Sequence, residues 1–138
     1  LPLCVHRKGA TRSFGPGHKD VSERYRSVGQ PVLIPGDMGT GSFIMCGTEK
    51  SMHESFGSAC HGAGRVMSRS EADRSSRGRN IVDEMKEKGV LVMAESGATL
   101  REEIPAAYKD VGEVVAVVEK AGLARRVAYA RPIAVMKG

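Results

Sequence analysis

Ser58-Ala59-Cys60-His61-Gly62-Ala63-Gly64-Arg65-Val66-Met67-Ser68-Arg69 places an imidazole directly before a glycine-rich step, with two arginines four positions apart beyond it. A neutral imidazole nitrogen is a nucleophile. Glycine lets backbone approach a ligand closely, and a guanidinium grips an oxyanion through two N–H groups at once. These features agree on one ligand chemistry, a phosphate with a nucleophile beside it. On a helix beginning near Gly64, Arg65 and Arg69 would share a face, and the N–H groups of its first turn would point back towards His61. The same residues would also serve as a glycine-rich turn, a half-buried histidine and a solvated basic helix, and spacing alone does not choose between the two.

Two earlier stretches carry further candidates. Val5-His6-Arg7-Lys8-Gly9-Ala10-Thr11-Arg12 leads into a charged loop, Ser13 to His18, whose Gly-Pro-Gly run can continue neither helix nor strand. His6 and His18 have no partner at metal-ligand spacing and read as structural or surface histidines. Pro31-Val32-Leu33-Ile34 and Ser42-Phe43-Ile44-Met45-Cys46 read as two strands joined by the turn Pro35-Gly36-Asp37-Met38-Gly39-Thr40-Gly41. Three glycines in that turn exceed the needs of a plain hairpin, and such a loop could offer several backbone N–H groups to a nucleotide, with Ser42 adding a hydroxyl. A carboxylate cannot donate to phosphate, so Asp37 caps the turn or meets sugar or base edges.

Composition narrows the class. The chain has 138 residues, 41% of them hydrophobic, with 17 glycines and 4% aromatics, which describes one turn-rich domain packed with Val, Ile, Leu and Met. No stretch is apolar enough to span a membrane, and no signal peptide is evident. Three cysteines, Cys4, Cys46 and Cys60, without CxxC spacing argue for reduced thiols in a cytoplasmic protein rather than for a disulfide framework. The net charge is +5, from 21 Lys and Arg against 16 Asp and Glu. Its excess crowds Arg7 to Arg26 and Arg65 to Arg79, which suits a polyanion.

Cys60-His61-Gly62-Ala63-Gly64-Arg65 with Met67-Ser68-Arg69 resembles the signature of the RtcB family of GTP-dependent RNA ligases. So do Val5 to Arg12, Gly29 to Thr40, and the ending Arg131-Pro132 with Lys137-Gly138. Four ordered motifs spread the resemblance over essentially the whole chain. It implies that residues 1–138 are the C-terminal part of a larger single catalytic domain, α+β with mixed, irregular sheets flanked by helices. It implies an enzyme that joins RNA 2′,3′-cyclic phosphate or 3′-phosphate ends to 5′-OH ends, in tRNA splicing and RNA repair, through a His61-GMP phosphoramidate. Arg65 and Arg69 would neutralise phosphate charge, and Lys8 would act in catalysis or on RNA phosphate. Pro35, Gly36, Asp37, Met38 and Ser42, with His61, Gly62, Ala63 and Gly64, would form part of the guanosine nucleotide pocket. Asp37 departs from the family here, many of whose members carry serine. Tyr108 would border the guanine and Lys137 would donate to its carbonyl oxygen. The cofactors implied are GTP and Mn2+, with every metal ligand on segments before Leu1, so no metal residue is assigned here and the piece alone is expected to be inactive. RNA, as tRNA halves or broken RNA, is the implied partner, and an accessory activating protein is a further candidate. Two other readings fit the residues without the resemblance: a non-catalytic nucleotide- or RNA-binding module, and a hydrolase in which His61 is transiently phosphorylated.

The remaining residues read as scaffold. The first residues suggest an apolar strand, and Glu49 to Ser58 a polar connection. After Arg69 a helix would continue and fray into a basic Ser/Gly loop ending at Arg79, along which RNA could track. Asn80 would cap a helix through Lys88 stopped by Gly89, followed by a buried strand over 90–94. Glu102 to Tyr108 would be a short connection. Asp110 and Glu113 form a capping-box pattern for a helix ending near Gly122, with Val111, Val114, Val115 and Val118 at helical spacing. Arg126 to Lys137 would be one strand with Pro132 at an edge or bulge. Three helices and about five strands in irregular order favour α+β over a doubly wound sheet.

Overall fold

Asp110 opens the longest helix by accepting the Glu113 N–H at 3.0 Å, and Gly122, at a φ of +74°, lets the chain turn away after it. Between them the helix Val111–Lys120 turns Val111, Val115 and Val118 onto a three-stranded antiparallel sheet. In a computed structural model, which describes residues 2–138, thirteen helices and strands precede, include and follow this one. They are β1 (Ala10–Arg12), α1 (Glu23–Arg26), β2 (Pro31–Pro35), β3 (Ser42–Gly47), α2 (Glu49–Ser55), β4 (Ser58–Cys60), α3 (Arg69–Ser75), α4 (Ile81–Glu87), β5 (Leu91–Ala94), α5 (Gly97–Glu102), α6 (Val111–Lys120), β6 (Ala124–Ala130) and β7 (Ala134–Lys137). A 3₁₀ turn at Pro105–Ala107 joins α5 to the approach of α6.

Two cores divide the chain. In the sheet β2-β3-β6, β2 alternates, with Val32 and Ile34 buried and Leu33 outward, and its inner face meets α6 and Met45. The second core gathers Ala72 of α3, Ile81 and Met85 of α4, Val92 of β5, Leu100 of α5 and Ile104 beside Ala107. Met38 belongs to this second core although it sits in the β2–β3 loop. That loop therefore spans the seam between the cores. The other sheets are small: β1 pairs antiparallel with β4, and β5 pairs parallel with β7.

The α+β class holds, while several element boundaries differ from the sequence reading. No helix begins at Gly64, whose φ is +77°; Arg65 instead bridges Tyr108 as an isolated antiparallel pair, and Ser68 caps α3 by accepting the Glu71 N–H at 3.2 Å. Residues 49–58 are not a polar connection but α2, capped by Thr48, followed by β4. The helix after Arg69 does give way to a Ser/Gly turn, at residues 76–78, but its end is packed rather than frayed: Ser76 is fully buried and donates to the Ala72 carbonyl at 2.6 Å. Among the described residues the first strand begins at Ala10 rather than in residues 2–5, and Leu1, where the expected strand would open, lies outside the described residues. The strand Leu91–Ala94 buries only Val92, because its sheet has two strands and one open face. The last strand breaks in two: Pro132 separates β6, on the first sheet, from β7, on the β5 sheet. Among the described residues there are six α-helices rather than three, and none is long and apolar enough to cross a membrane.

Candidate functional site

The β2–β3 loop holds its shape through Asp37. One carboxylate oxygen accepts the N–H groups of Gly39 at 2.8 Å and Thr40 at 3.0 Å, and the other accepts the Thr40 hydroxyl. The Gly36 N–H donates to the Gly41 carbonyl at 2.8 Å. Three of the loop's N–H groups are thus engaged within it, which corrects the picture of a loop presenting them to a nucleotide. Its side chains and surface face a cavity of about 200 Å³ instead. Pro35, Gly36, Asp37, Met38 and Ser42 form one wall, and Glu103, Tyr108, Val135 and Lys137 form the other. The space suits a planar ring system rather than a whole nucleoside triphosphate.

His61 lies beyond one edge of this cavity. The β1–β4 register sets Ala10 opposite Cys60, so the exposed His61 leaves β4 beside Gly9, where an added Cβ would come 3.9 Å from its Nε2. Lys8, also exposed, precedes that glycine directly. Arg7 fastens the two strands: its guanidinium donates to Ser58 Oγ at 2.9 Å and to the Phe56 carbonyl at 2.8 Å. After His61 the chain is stitched to the cavity wall, since Ala63 N–H donates to the Pro35 carbonyl at 2.9 Å and a Cβ on Gly62 would approach that oxygen to 3.3 Å. Gly64 then accepts the Lys109 N–H at 3.0 Å, and Val66 donates to the Ala107 carbonyl at 2.8 Å. Burial raises the pKa of the Cys60 thiol, against smaller opposing backbone hydrogen bonds, so the sulfur beside His61 stays protonated at neutral pH and is a poor nucleophile or metal ligand.

Arg65 and Arg69 converge as the sequence suggested, though by another route. Arg65 sits on the extended bridge to Tyr108 and Arg69 opens α3, and both reach Glu103, at 3.2 Å and 3.4 Å. The same carboxylate accepts the Tyr108 hydroxyl and stands 3.6 Å from Lys137 Nζ. Burial alone would push Glu103 upwards, yet the Tyr108 hydrogen bond and the charges of Lys137, Arg65 and Arg69 together hold it below the ordinary glutamate value. Tyr108 moves the opposite way, raised by burial and then by its carboxylate partner. Sequence reasoning missed Glu103. An acidic residue within Arg101-Glu102-Glu103 carries no local signal that four donors from distant segments will meet on it.

The structure therefore sorts the candidates into three groups. Pro35, Gly36, Asp37, Met38, Ser42, Tyr108 and Lys137 share the cavity; exposed His61, Gly64 and Lys8 lie beside it, with Gly62 half-buried and Ala63 buried in the first core; Arg65 and Arg69 meet the cavity through Glu103. Among the described residues no three His, Cys, Asp or Glu side chains come together as a metal site, so these residues do not fit a bound manganese ion.

The fold is α+β, with a ring-sized cavity at the seam of two cores, a lysine and a tyrosine among its lining residues and an exposed histidine nearby. The chain belongs to the RtcB family: the sequence model described as tRNA-splicing ligase RtcB matches residues 2–138. The tRNA-splicing ligase RtcB of Archaeoglobus fulgidus is 59% identical over 138 residues, all of this chain and 29% of the relative. That of Pyrococcus furiosus is 58% identical over 138 residues, 14% of its length, and that of Methanococcus maripaludis 49% over 136 residues, 28% of its length. The chain thus spans less than a third of these relatives.

Proposed function

We propose that this chain is the nucleotide-binding, histidine-bearing C-terminal part of the catalytic domain of an RNA ligase that uses GTP. The observation that carries this reading is the stitch from Pro35 to Ala63, which joins the cavity's wall to the turn carrying an exposed His61. Guanine would sit between Tyr108 and the β2–β3 loop, with Lys137 donating to its carbonyl oxygen and Ser42 adding a hydroxyl. The α-phosphate would then lie at the His61 turn, outside the cavity.

In the first step a neutral His61 nitrogen attacks the α-phosphorus of GTP; an N–P bond forms, the P–O bond to pyrophosphate breaks and pyrophosphate leaves. In the second, an oxygen of an RNA 3′-phosphate, formed beforehand where the end is a 2′,3′-cyclic phosphate, attacks that phosphorus and His61 is released. In the third, the 5′-OH of the other RNA end attacks the activated 3′-phosphorus, GMP departs and the strand is sealed. Lys8, one residue from the glycine beside His61, faces the entering RNA phosphate, while the arginines stabilise charge from behind. Manganese, which the family implies, would be held by side chains outside these 138 residues. The RNA ends of tRNA splicing and of RNA repair are the substrates of this reading.

The decisive measurement is the intact mass of the full-length polypeptide that carries these residues, after incubation with GTP and manganese, beside its His61→Ala variant. One acid-labile GMP on the wild type and none on the variant is the expected result. Label transferred from γ-labelled rather than α-labelled GTP would instead identify a phosphohistidine hydrolase, and binding of GTP without any adduct would leave a non-catalytic nucleotide-binding module.

A further inference from the structure

Glu103 lies where the cavity meets the arginines, and the mechanism above gives it no ligand. Its side chain is only 14% exposed, just past the end of α5. Around one carboxylate stand Arg65 Nη1 at 3.2 Å, Arg69 Nε at 3.4 Å, Lys137 Nζ at 3.6 Å and the Tyr108 hydroxyl. Arg65 in turn donates to the Tyr108 oxygen at 3.1 Å and to the Glu102 carbonyl at 2.6 Å, and its guanidinium lies 4.9 Å from the Tyr108 ring centre. The nearest other carboxylate, Glu102, stands 3.7 Å from Arg69 and pairs with neither Arg65 nor Lys137 among the described residues. Without the Glu103 charge, three cations would face one another across a partly desolvated site and turn outwards.

We infer that Glu103 is a positioning residue: its carboxylate holds Lys137 and Tyr108 on the cavity wall and Arg65 behind the His61 motif, so that the base-binding and phosphate-facing parts are set together. This rests on the nucleotide reading of the cavity. Burial and the Glu103 contact both raise the Tyr108 pKa, which provides a reporter that needs no nucleotide.

The test compares Glu103→Gln and Glu103→Asp in the intact protein, with Glu84→Gln as control, since Glu84 pairs with Arg79 outside this cavity. Two quantities are measured: GTP affinity by calorimetry, and the Tyr108 titration by NMR of ring-labelled tyrosine, assigned with Tyr108→Phe. Glu103→Gln is expected to weaken GTP about tenfold and to lower the Tyr108 titration, Glu103→Asp to recover much of both, and Glu84→Gln to change neither. Unchanged GTP affinity in Glu103→Gln, where the wild type binds, overturns the proposal, and so does a Tyr108 titration that stays in place. A wild type that binds no GTP refutes the nucleotide reading alone. In that case a moved Tyr108 titration still establishes Glu103 as organiser of the cavity, and an unmoved one refutes that too.

Discussion

Asp37 uses both carboxylate oxygens inside its own turn, so its contribution is to the shape of the loop that walls the cavity. Asp37→Ala removes three hydrogen bonds of roughly 0.5–1.5 kcal/mol each before solvent compensates, and we predict a net loss of about 1–3 kcal/mol with weakened GTP binding. Asp37→Asn, which keeps an acceptor for the two N–H groups, should lose less; chemical denaturation and calorimetry would check both. A second expectation concerns acid. Because the folded pKa of Glu103 lies below the ordinary value of 4.5, its network contributes fully above that value and is lost as pH falls through the folded one. The difference in melting temperature between wild type and Glu103→Gln should hold steady from neutral pH down to that value and shrink below it; a gap that widens in acid would contradict the ion-pair account. These two acids also mark what single residues reveal. Asp37 was legible because Asp in a glycine-rich turn has a local mechanism, whereas Glu103 acquires its partners only when residues 65, 69, 108 and 137 converge.

Helix α3 shows why motif spacing and element boundaries part company. Arg65 and Arg69 are four apart, and the helical period alone would seat both on one face. Gly64 and the Arg65–Tyr108 bridge override that period, and the helix waits for Ser68, a cap whose side chain supplies the acceptor. Ser68→Ala should cost about 1 kcal/mol. The capped helices α4 and α6 were legible because Asn80 and Asp110 stand before clear apolar periods and glycines close both. Helix α2 was hidden by its polarity, with Ser51 as its one buried residue, and β6 and β7 by a strand-like alternation that runs through Pro132 into another sheet. Gly41 tests how tightly the elements around the cavity are set. It sits at a φ of +125°, and an added Cβ would lie 2.6 Å from the Ala130 carbonyl and 2.8 Å from the Tyr129 hydroxyl. Gly41→Ala is therefore predicted to cost about 2–3 kcal/mol, from strain and the parting of β3 from β6, and to lower the unfolding midpoint accordingly.

Across the whole molecule, the +5 charge is distributed less simply than the sequence suggests. Much of the middle arginine cluster meets carboxylates: Arg65 and Arg69 share Glu103, Arg77 pairs with Asp73 and Arg79 with Glu84, while Arg74 makes no ion pair among the described residues. The basic segment that ends at Arg79 thus carries less unpaired charge than its sequence suggests. The first cluster keeps its charge, because its guanidinium groups are anchored by neutral acceptors. Arg7 uses Ser58 and the Phe56 carbonyl, Arg12 the Gln30 side chain, and Arg26 the carbonyls of Val21 and Lys19. Since β1 lies beside β4, the Arg7 and Arg12 part of this charge lies near the strand that leads to His61, where the proposed ligase reading brings the RNA 3′-phosphate. Each phosphate neutralised by a cation releases a counterion, and for single strands the logarithm of affinity falls by about 0.7 per contact for each decade of salt. Affinity for a single-stranded RNA ending in a 3′-phosphate should therefore fall steeply with salt, and Lys8→Ala should flatten that slope by about 0.7. Arg79→Ala should leave the slope as it is, because its charge is already met by Glu84. A slope that responds to Arg79 and ignores Lys8 would move the RNA path from the β1–β4 edge to the region around α3 and α4, and would separate RNA entry from the histidine.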